Sequence, residues 1–162
     1  YPPLARIGLS IQFNNDALWR VYDKTPLKVH LGLNSDVIVV YVTPGMTEHS
    51  LRQQLETPGV KGVVLKTYGA GNAPSCEWFN RPIKEAIDRG IVVLNVTQCA
   101  NGAVSQRRYF TGDCLARCGV ISGHDITTEA ALTKMMFLFG TGLSAKQVSN
   151  CLLRPICGEM TI

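Results

Sequence analysis

A chain of 162 residues with 46% hydrophobic and 17% charged residues has the size and make-up of one well-buried domain, and is neither disordered nor fibrous. Its formal charge of +4 is modest, and the densest basic patch, Arg107-Arg108, lacks interleaved aromatics, which argues against a nucleic-acid surface. No apolar run approaches the roughly 20 residues of a membrane helix, so neither nucleic acid nor membrane is an expected partner.

The start, Tyr1-Pro2-Pro3-Leu4, has neither an initiator Met nor the charged-then-apolar build of a signal peptide, and reads as a cut inside a longer protein. Residues 1–34 read as an interdomain linker or arm, with one strand suggested by the partial alternation of Leu4 to Ile11. Asn14-Asn15-Asp16 and then Thr25-Pro26 break that pattern. From 35 to 162 the rhythm is that of an α/β domain. Val37-Ile38-Val39-Val40-Tyr41-Val42 is a β-branched run without alternation, as in a parallel strand covered on both faces. Thr47 caps a helix over 48–56, with Met46 and Leu51 placed as a hydrophobic staple. Pro58-Gly59 resets the chain to a second strand, 60–66. The turn Gly69-Ala70-Gly71-Asn72-Ala73-Pro74 then delivers a helix over 75–89, stopped by Gly90.

Ile91-Val92-Val93-Leu94-Asn95-Val96 reads as the third strand. A helix over 104–118 ends at Gly119, and Val120-Ile121-Ser122 makes a short fourth strand. Thr127 caps the helix 128–139, which Gly140 ends, and Ser144 starts the last helix, to about 153. Strand and helix alternate with short connections and Val/Ile-rich strands. The expected fold is therefore a doubly wound, Rossmann- or flavodoxin-like parallel sheet of about four strands, flanked by helices in three layers.

Three loops, 43–47, 67–75 and 97–104, leave the carboxyl ends of consecutive strands, where open α/β sheets bind ligands. Among their polar groups Asn72, Lys66, Thr97 and Cys99 stand out. Asn72 lies between small residues and either aims its amide into a cleft or stabilises its own turn. Lys66 ends a strand as a carboxylate partner or a solvated charge, and Cys99 is a site thiol or a buried one. The glycines fit neither a dinucleotide fingerprint nor a P-loop, since only Lys66 is near and it precedes them. Ser122-Gly123-His124-Asp125 contains the letters of a triad, but consecutive residues cannot stack as nucleophile, base and orienter. Six cysteines without Cys-x-x-Cys, and His30, His49 and His124 at no ligand spacing, point to reduced, mostly buried thiols and no metal. No complete catalytic set emerges. The residues alone describe a binding domain, or part of an enzyme whose chemistry lies elsewhere.

Lys66-Thr67-Tyr68-Gly69-Ala70-Gly71-Asn72-Ala73-Pro74, Val96-Thr97-Gln98-Cys99 with Gly102-Ala103-Val104, and the run from Gly119 to Lys134 together resemble the C-terminal domain of cytosolic, bacterial type I-like L-asparaginases. Pro26-Leu27-Lys28-Val29-His30 is similar to the family's linker region, and Gly158-Glu159-Met160-Thr161 to its ending. The resemblance implies hydrolysis of L-asparagine to L-aspartate and ammonia without a cofactor, in the cytoplasm. It also implies that the nucleophilic threonine lies in an N-terminal domain that this chain lacks, so that no catalytic residue is expected here. The implied partners are that N-terminal domain, further copies in a dimer or tetramer, and L-asparagine. Asn72 matches the asparagine that reaches a neighbouring subunit's active site. Lys66, Thr97 and Cys99 match an allosteric asparagine site, with lysine where the family has arginine; the two are not interchangeable at a bidentate carboxylate contact. Ser105-Gln106-Arg107-Arg108-Tyr109 offers no glutamate like that of periplasmic relatives, which favours the cytosolic type. Leu153-Arg154-Pro155-Ile156-Cys157 departs from the family pattern, and Pro155 is expected to end the last helix. The alternative reading is a noncatalytic small-molecule-binding regulatory or assembly domain.

Overall fold

The computed structural model, which describes residues 3–18, 26–105 and 110–162, begins with an antiparallel hairpin of β1 (Ala5–Ile7) and β2 (Ile11–Phe13). The single strand expected over this stretch is thus two short ones, because Gly8-Leu9-Ser10 turns the chain, with Gly8 N donating to Ser10 O at 3.1 Å. Segment 26–34 then runs beside the helix that comes fourth in the chain. Every second residue along it, Leu27, Val29, Leu31 and Leu33, is apolar and at least 64% exposed.

The body is a four-stranded parallel sheet of β3 (Val37–Tyr41), β4 (Gly62–Thr67), β5 (Val92–Thr97) and β6 (Ile121–Ser122), in that spatial order. Between and after the strands come α1 (Glu48–Leu55), α2 (Glu77–Asp88), α3 (Phe110–Cys118), α4 (Thr128–Gly140) and α5 (Ala145–Leu152). Alternate strand residues feed two cores. Val40, Val63, Leu65 and Val93 meet Leu51, Phe79, Ile83 and Leu115 of α1, α2 and α3 on one face. Val64, Val92, Leu94 and Val96 meet Ala131, Met135, Leu138 and Val148 of α4 and α5 on the other. The three layers follow from the order of the strands. Crossovers of one hand that always step the same way leave their helices on one side, so the second helical layer comes from the two helices after β6. The sheet accordingly has no reversal of strand order, and its ligand edge is the whole row of carboxyl-end loops.

Local sequence explains the helix starts. Thr47 Oγ1 accepts from Ser50 N (3.2 Å) while Ser50 Oγ accepts from Thr47 N (3.1 Å), a reciprocal cap. Thr127 Oγ1 accepts from Ala130 N, and Ser144 pairs reciprocally with Gln147. Gly90 and Gly119 close α2 and α3 with φ of 95° and 96°. Gly140 behaves differently from its expected role as a stop. It is the last residue of α4, and a Cβ on it would stand 2.3 Å from Gly32 O. Its smallness serves the close approach of segment 26–34, where Asn34 N donates to Met136 O (2.9 Å) and the His30 ring meets Phe137 edge-on. α5 ends at Leu152, before Pro155. Of the helix expected over 104–118, only 110–118 falls in the described residues as helix; Gln106 to Tyr109 lie outside them.

Candidate functional site

β4 delivers its glycine turn straight from the sheet. Tyr68 and Asn72 pair as an antiparallel bridge, with Tyr68 N donating to Asn72 O and Asn72 N to Tyr68 O, both at 2.8 Å. The turn is fastened from below by β5. Thr97 Oγ1 donates to Gly69 O (2.6 Å), and Asn95 Nδ2 donates to Gly71 O (3.2 Å). From the side, Ser105 N donates to Ala70 O at 2.9 Å. Gly71 has φ 99°, and a Cβ there would lie 2.7 Å from Val104 Cγ1, so both its backbone angle and its surroundings require glycine. Asn72 is half-buried at the carboxyl edge, with its backbone taken up by the bridge.

Lys66, Thr97 and Cys99 line one cavity of about 340 Å³ together with Gln98, Gly102, Asp125, Thr127 and Glu129; Asn72 is not among its walls. Thr97 is buried at 9% exposure, and its hydroxyl, besides donating to Gly69 O, accepts from Cys99 N at 3.0 Å. The strand ends at Thr97, so Cys99 turns outward and is exposed rather than a buried thiol. Among the six free cysteines none is fully buried: Cys76, Cys114, Cys118 and Cys151 are half-buried, and Cys157 joins Cys99 in being exposed. Lys66 Nζ sits 5.1 Å from the centre of the Tyr41 ring, a cation–π contact, and makes no ion pair among the described residues. Gln98 Nε2 donates to both Val42 O (2.7 Å) and Lys66 O (3.1 Å), tying together the ends of β3 and β4.

The Ser122–Asp125 stretch is consumed by its own turn. His124 adopts φ 53°, its N–H donates to Ser122 Oγ, and Ser122 Oγ donates to Val104 O. Asp125 Oδ1 accepts from Thr161 N at 2.6 Å. Burial pushes that carboxyl up, but the Thr161 hydrogen bonds, its own backbone N–H and His124 together leave it below the usual range. No described nucleophile here has a base beside it, and no group of three His, Cys, Asp or Glu among the described residues is placed to hold a metal ion. Nor is any described helix long and apolar enough to cross a membrane.

Two features escape a reading of the sequence. Asn95 stands in a Val/Leu strand and is fully buried, as is Thr67, whose Oγ1 donates to Asn95 Oδ1 at 2.6 Å. A lone amide in a β-branched run was the available signal, because a buried primary amide needs partners. The second is a buried ion pair: Lys134 Nζ lies 2.6 Å from Glu159 Oε1, with side chains 4% and 9% exposed. Burial raises the Glu159 carboxyl, yet the Lys134 ammonium and the N–H groups of Cys157 and Ile156 prevail and hold it at about 2.

Comparison with known proteins places this geometry. Residues 36–152 match the family model described as Glutaminase/Asparaginase C-terminal domain. L-asparaginase 1 of Escherichia coli K12 is 38% identical over 160 residues, 99% of this chain and 47% of that protein. A 60 kDa lysophospholipase of Mus musculus is 35% identical over 162 residues, 99% of this chain and 28% of that protein. The crystal structure of L-asparaginase I from Vibrio cholerae superposes with a TM-score of 0.92 at 35% identity, covering 100% of this chain and 48% of that one. The chain thus spans half or less of the length of the relatives it matches.

Proposed function

Since the chain belongs to the glutaminase/asparaginase C-terminal domain family, we propose that it is the C-terminal domain of an L-asparaginase that hydrolyses L-asparagine to L-aspartate and ammonia in the cytoplasm. The chemistry belongs to an N-terminal domain that carries the nucleophilic threonine. Residues 1–34 form the arm between the two halves, and 35–162 form the α/β domain. Within a dimer or tetramer, Asn72 completes the active site of a neighbouring subunit. The carrying observation is the braced turn 68–72, which holds Asn72 at the carboxyl edge, where no described nucleophile has a base beside it.

Exposed apolar groups support a covering partner. A two-stranded hairpin is marginal alone, yet Ile7, Leu9, Ile11 and Phe13 are all exposed, as is the row from Leu27 to Leu33. Surface of this kind is made for contact. The N-terminal half and further copies of the chain are the proposed cover.

The test compares ammonia release from asparagine by this chain and by the full-length protein, with sedimentation at micromolar concentration on both. Activity confined to an oligomeric full-length protein is the expected result. Turnover by the chain alone, or a monomeric full-length enzyme, refutes the corresponding part. The second reading, a noncatalytic domain that binds a small molecule, draws on the cavity at Lys66, Thr97 and Cys99. Its lining includes one ammonium, Lys66, and two carboxylates, Asp125 and Glu129, a set of charges that suits a zwitterion such as asparagine. An inactive full-length protein that still binds asparagine favours it.

A further inference from the structure

Asn95 sits where a leucine or valine would be expected. Its neighbours Val93, Leu94 and Val96 are apolar and nearly or fully buried, and the Asn95 side chain itself has no access to solvent. For burial alone an aliphatic side chain is the better choice, since an amide must be fully partnered to be tolerated. Its partners are specific. The Gly71 carbonyl can only accept, so the Nδ2 end must face it, and the Oδ1 end is left to receive the Thr67 hydroxyl. Two residues further on the same face of β5, Thr97 holds the carbonyl of Gly69 in the same way. Gly71 is the residue immediately before Asn72, and it packs so closely on Asn95 that a Cβ would lie 3.2 Å from Nδ2.

We propose that Asn95 is a positioning residue: acting through the Gly71 carbonyl, its buried amide sets where the Asn72 side chain stands at the carboxyl edge. This rests on the reading that Asn72 contributes to an asparaginase active site. Without the amide, the turn keeps its Tyr68–Asn72 bridge and its bond to Thr97 but loses the tether at Gly71.

The experiment uses the full-length protein with three variants: Asn95→Asp, the paired Asn95→Leu/Thr67→Val, and Asn72→Ala. It reads kcat and KM for asparagine from about pH 5.5 to about pH 8.5, and amide hydrogen exchange over 69–72, at a temperature where each variant is folded. In Asn95→Asp the ionised carboxylate repels the Gly71 carbonyl, so kcat/KM falls at least about tenfold at the alkaline end. As the pH drops, the carboxyl takes up a proton and donates its O–H to Gly71 in place of the amide, and the ratio to wild type climbs back towards one. A structural role alone gives less folded protein with unchanged kcat/KM per folded molecule at every pH. The paired variant packs as an apolar core with no donor for Gly71. Its 71 and 72 amides exchange at least about tenfold faster, with a matching fall in kcat/KM. Wild-type exchange and wild-type kcat/KM in the paired variant, or in Asn95→Asp at the alkaline end, overturn the proposal. Asn72→Ala separates the two levels: if it leaves kcat/KM unchanged, the assignment of Asn72 falls and the proposal with it. If it lowers kcat/KM while the Asn95 variants do not, the positioning role alone falls.

Discussion

Replacing Glu159 with glutamine removes one charge from a pair that is almost out of water. The carboxylate lies 2.6 Å from the Lys134 ammonium and also accepts from Ile156 N (2.9 Å) and Cys157 N (2.8 Å). Glutamine keeps the volume but carries donors on one end, so it cannot serve the ammonium and both N–H groups. Lys134 would retain only Arg154 O at 2.7 Å and Met160 Sδ at 3.4 Å. Breaking a buried pair this way costs about 3–5 kcal/mol. The same contacts lower the carboxyl from the ordinary 4.5 to about 2, which corresponds to about 3 kcal/mol. Because the folded carboxyl titrates below the unfolded one, its stabilisation is fully present above about pH 4.5 and drains away as the pH falls towards about 2. Urea denaturation of wild type and Glu159→Gln at neutral pH should therefore differ by about 3 kcal/mol, with the gap narrowing at about pH 3. The paired Lys134→Met/Glu159→Leu should recover most of the loss, since no charge is left stranded. A gap under about 1 kcal/mol at neutral pH, or one that ignores pH, refutes the reasoning.

Asn72→Ala in the full-length protein should lower kcat/KM by about one to three powers of ten, while denaturation shows a stability change of at most about 1.5 kcal/mol. The reverse pattern, lost stability with normal kinetics, assigns Asn72 to its own turn. Gly140→Ala should detach segment 26–34 from α4, since the new Cβ meets Gly32 and Leu33 backbone at 2.3 to 2.9 Å. Limited proteolysis within 26–34 reads this as faster cleavage; an unchanged rate with a higher Tm would mean that helix propensity alone governs the position.

What was legible in the sequence is what local physics decides. The strands announce themselves by β-branched runs because both faces are covered, and the helix starts by Thr47, Thr127 and Ser144 because unpaired N–H groups need an acceptor. Gly90 and Gly119 mark stops because glycine enters the left-handed region without strain. Failures occur where a residue's meaning is set by something distant. Gly140 looks like another stop, yet its smallness answers to Gly32, more than a hundred residues earlier. Whether Cys99 is a site thiol or a buried one is decided only by where β5 ends, at Thr97, which leaves the thiol exposed. Thr67 reads as a loop group offered to ligand, but Asn95 across the β4–β5 pair claims its hydroxyl. Lys134 and Glu159, 25 residues apart, show no local pattern that would pair them.

The same distant contacts explain how the carboxyl edge, where no described nucleophile has a base beside it, can present side chains with accuracy. Each carboxyl-edge loop is held by a neighbour's backbone or by a buried side chain. Gln98 joins β3 to β4, Asn95 and Thr97 hold the turn after β4, and Ser105 N reaches Ala70 O. Val104 N reaches His124 O, and Thr161 N reaches Asp125. The loops after β4, β5 and β6 are thereby stitched into one frame, whose last stitch comes from the tail that Glu159 anchors to α4. A frame so tied has few ways to rearrange when a substrate or partner arrives, because moving one loop breaks hydrogen bonds in the next. Such an edge suits presenting a fixed group to a site completed from elsewhere more than closing over a ligand of its own.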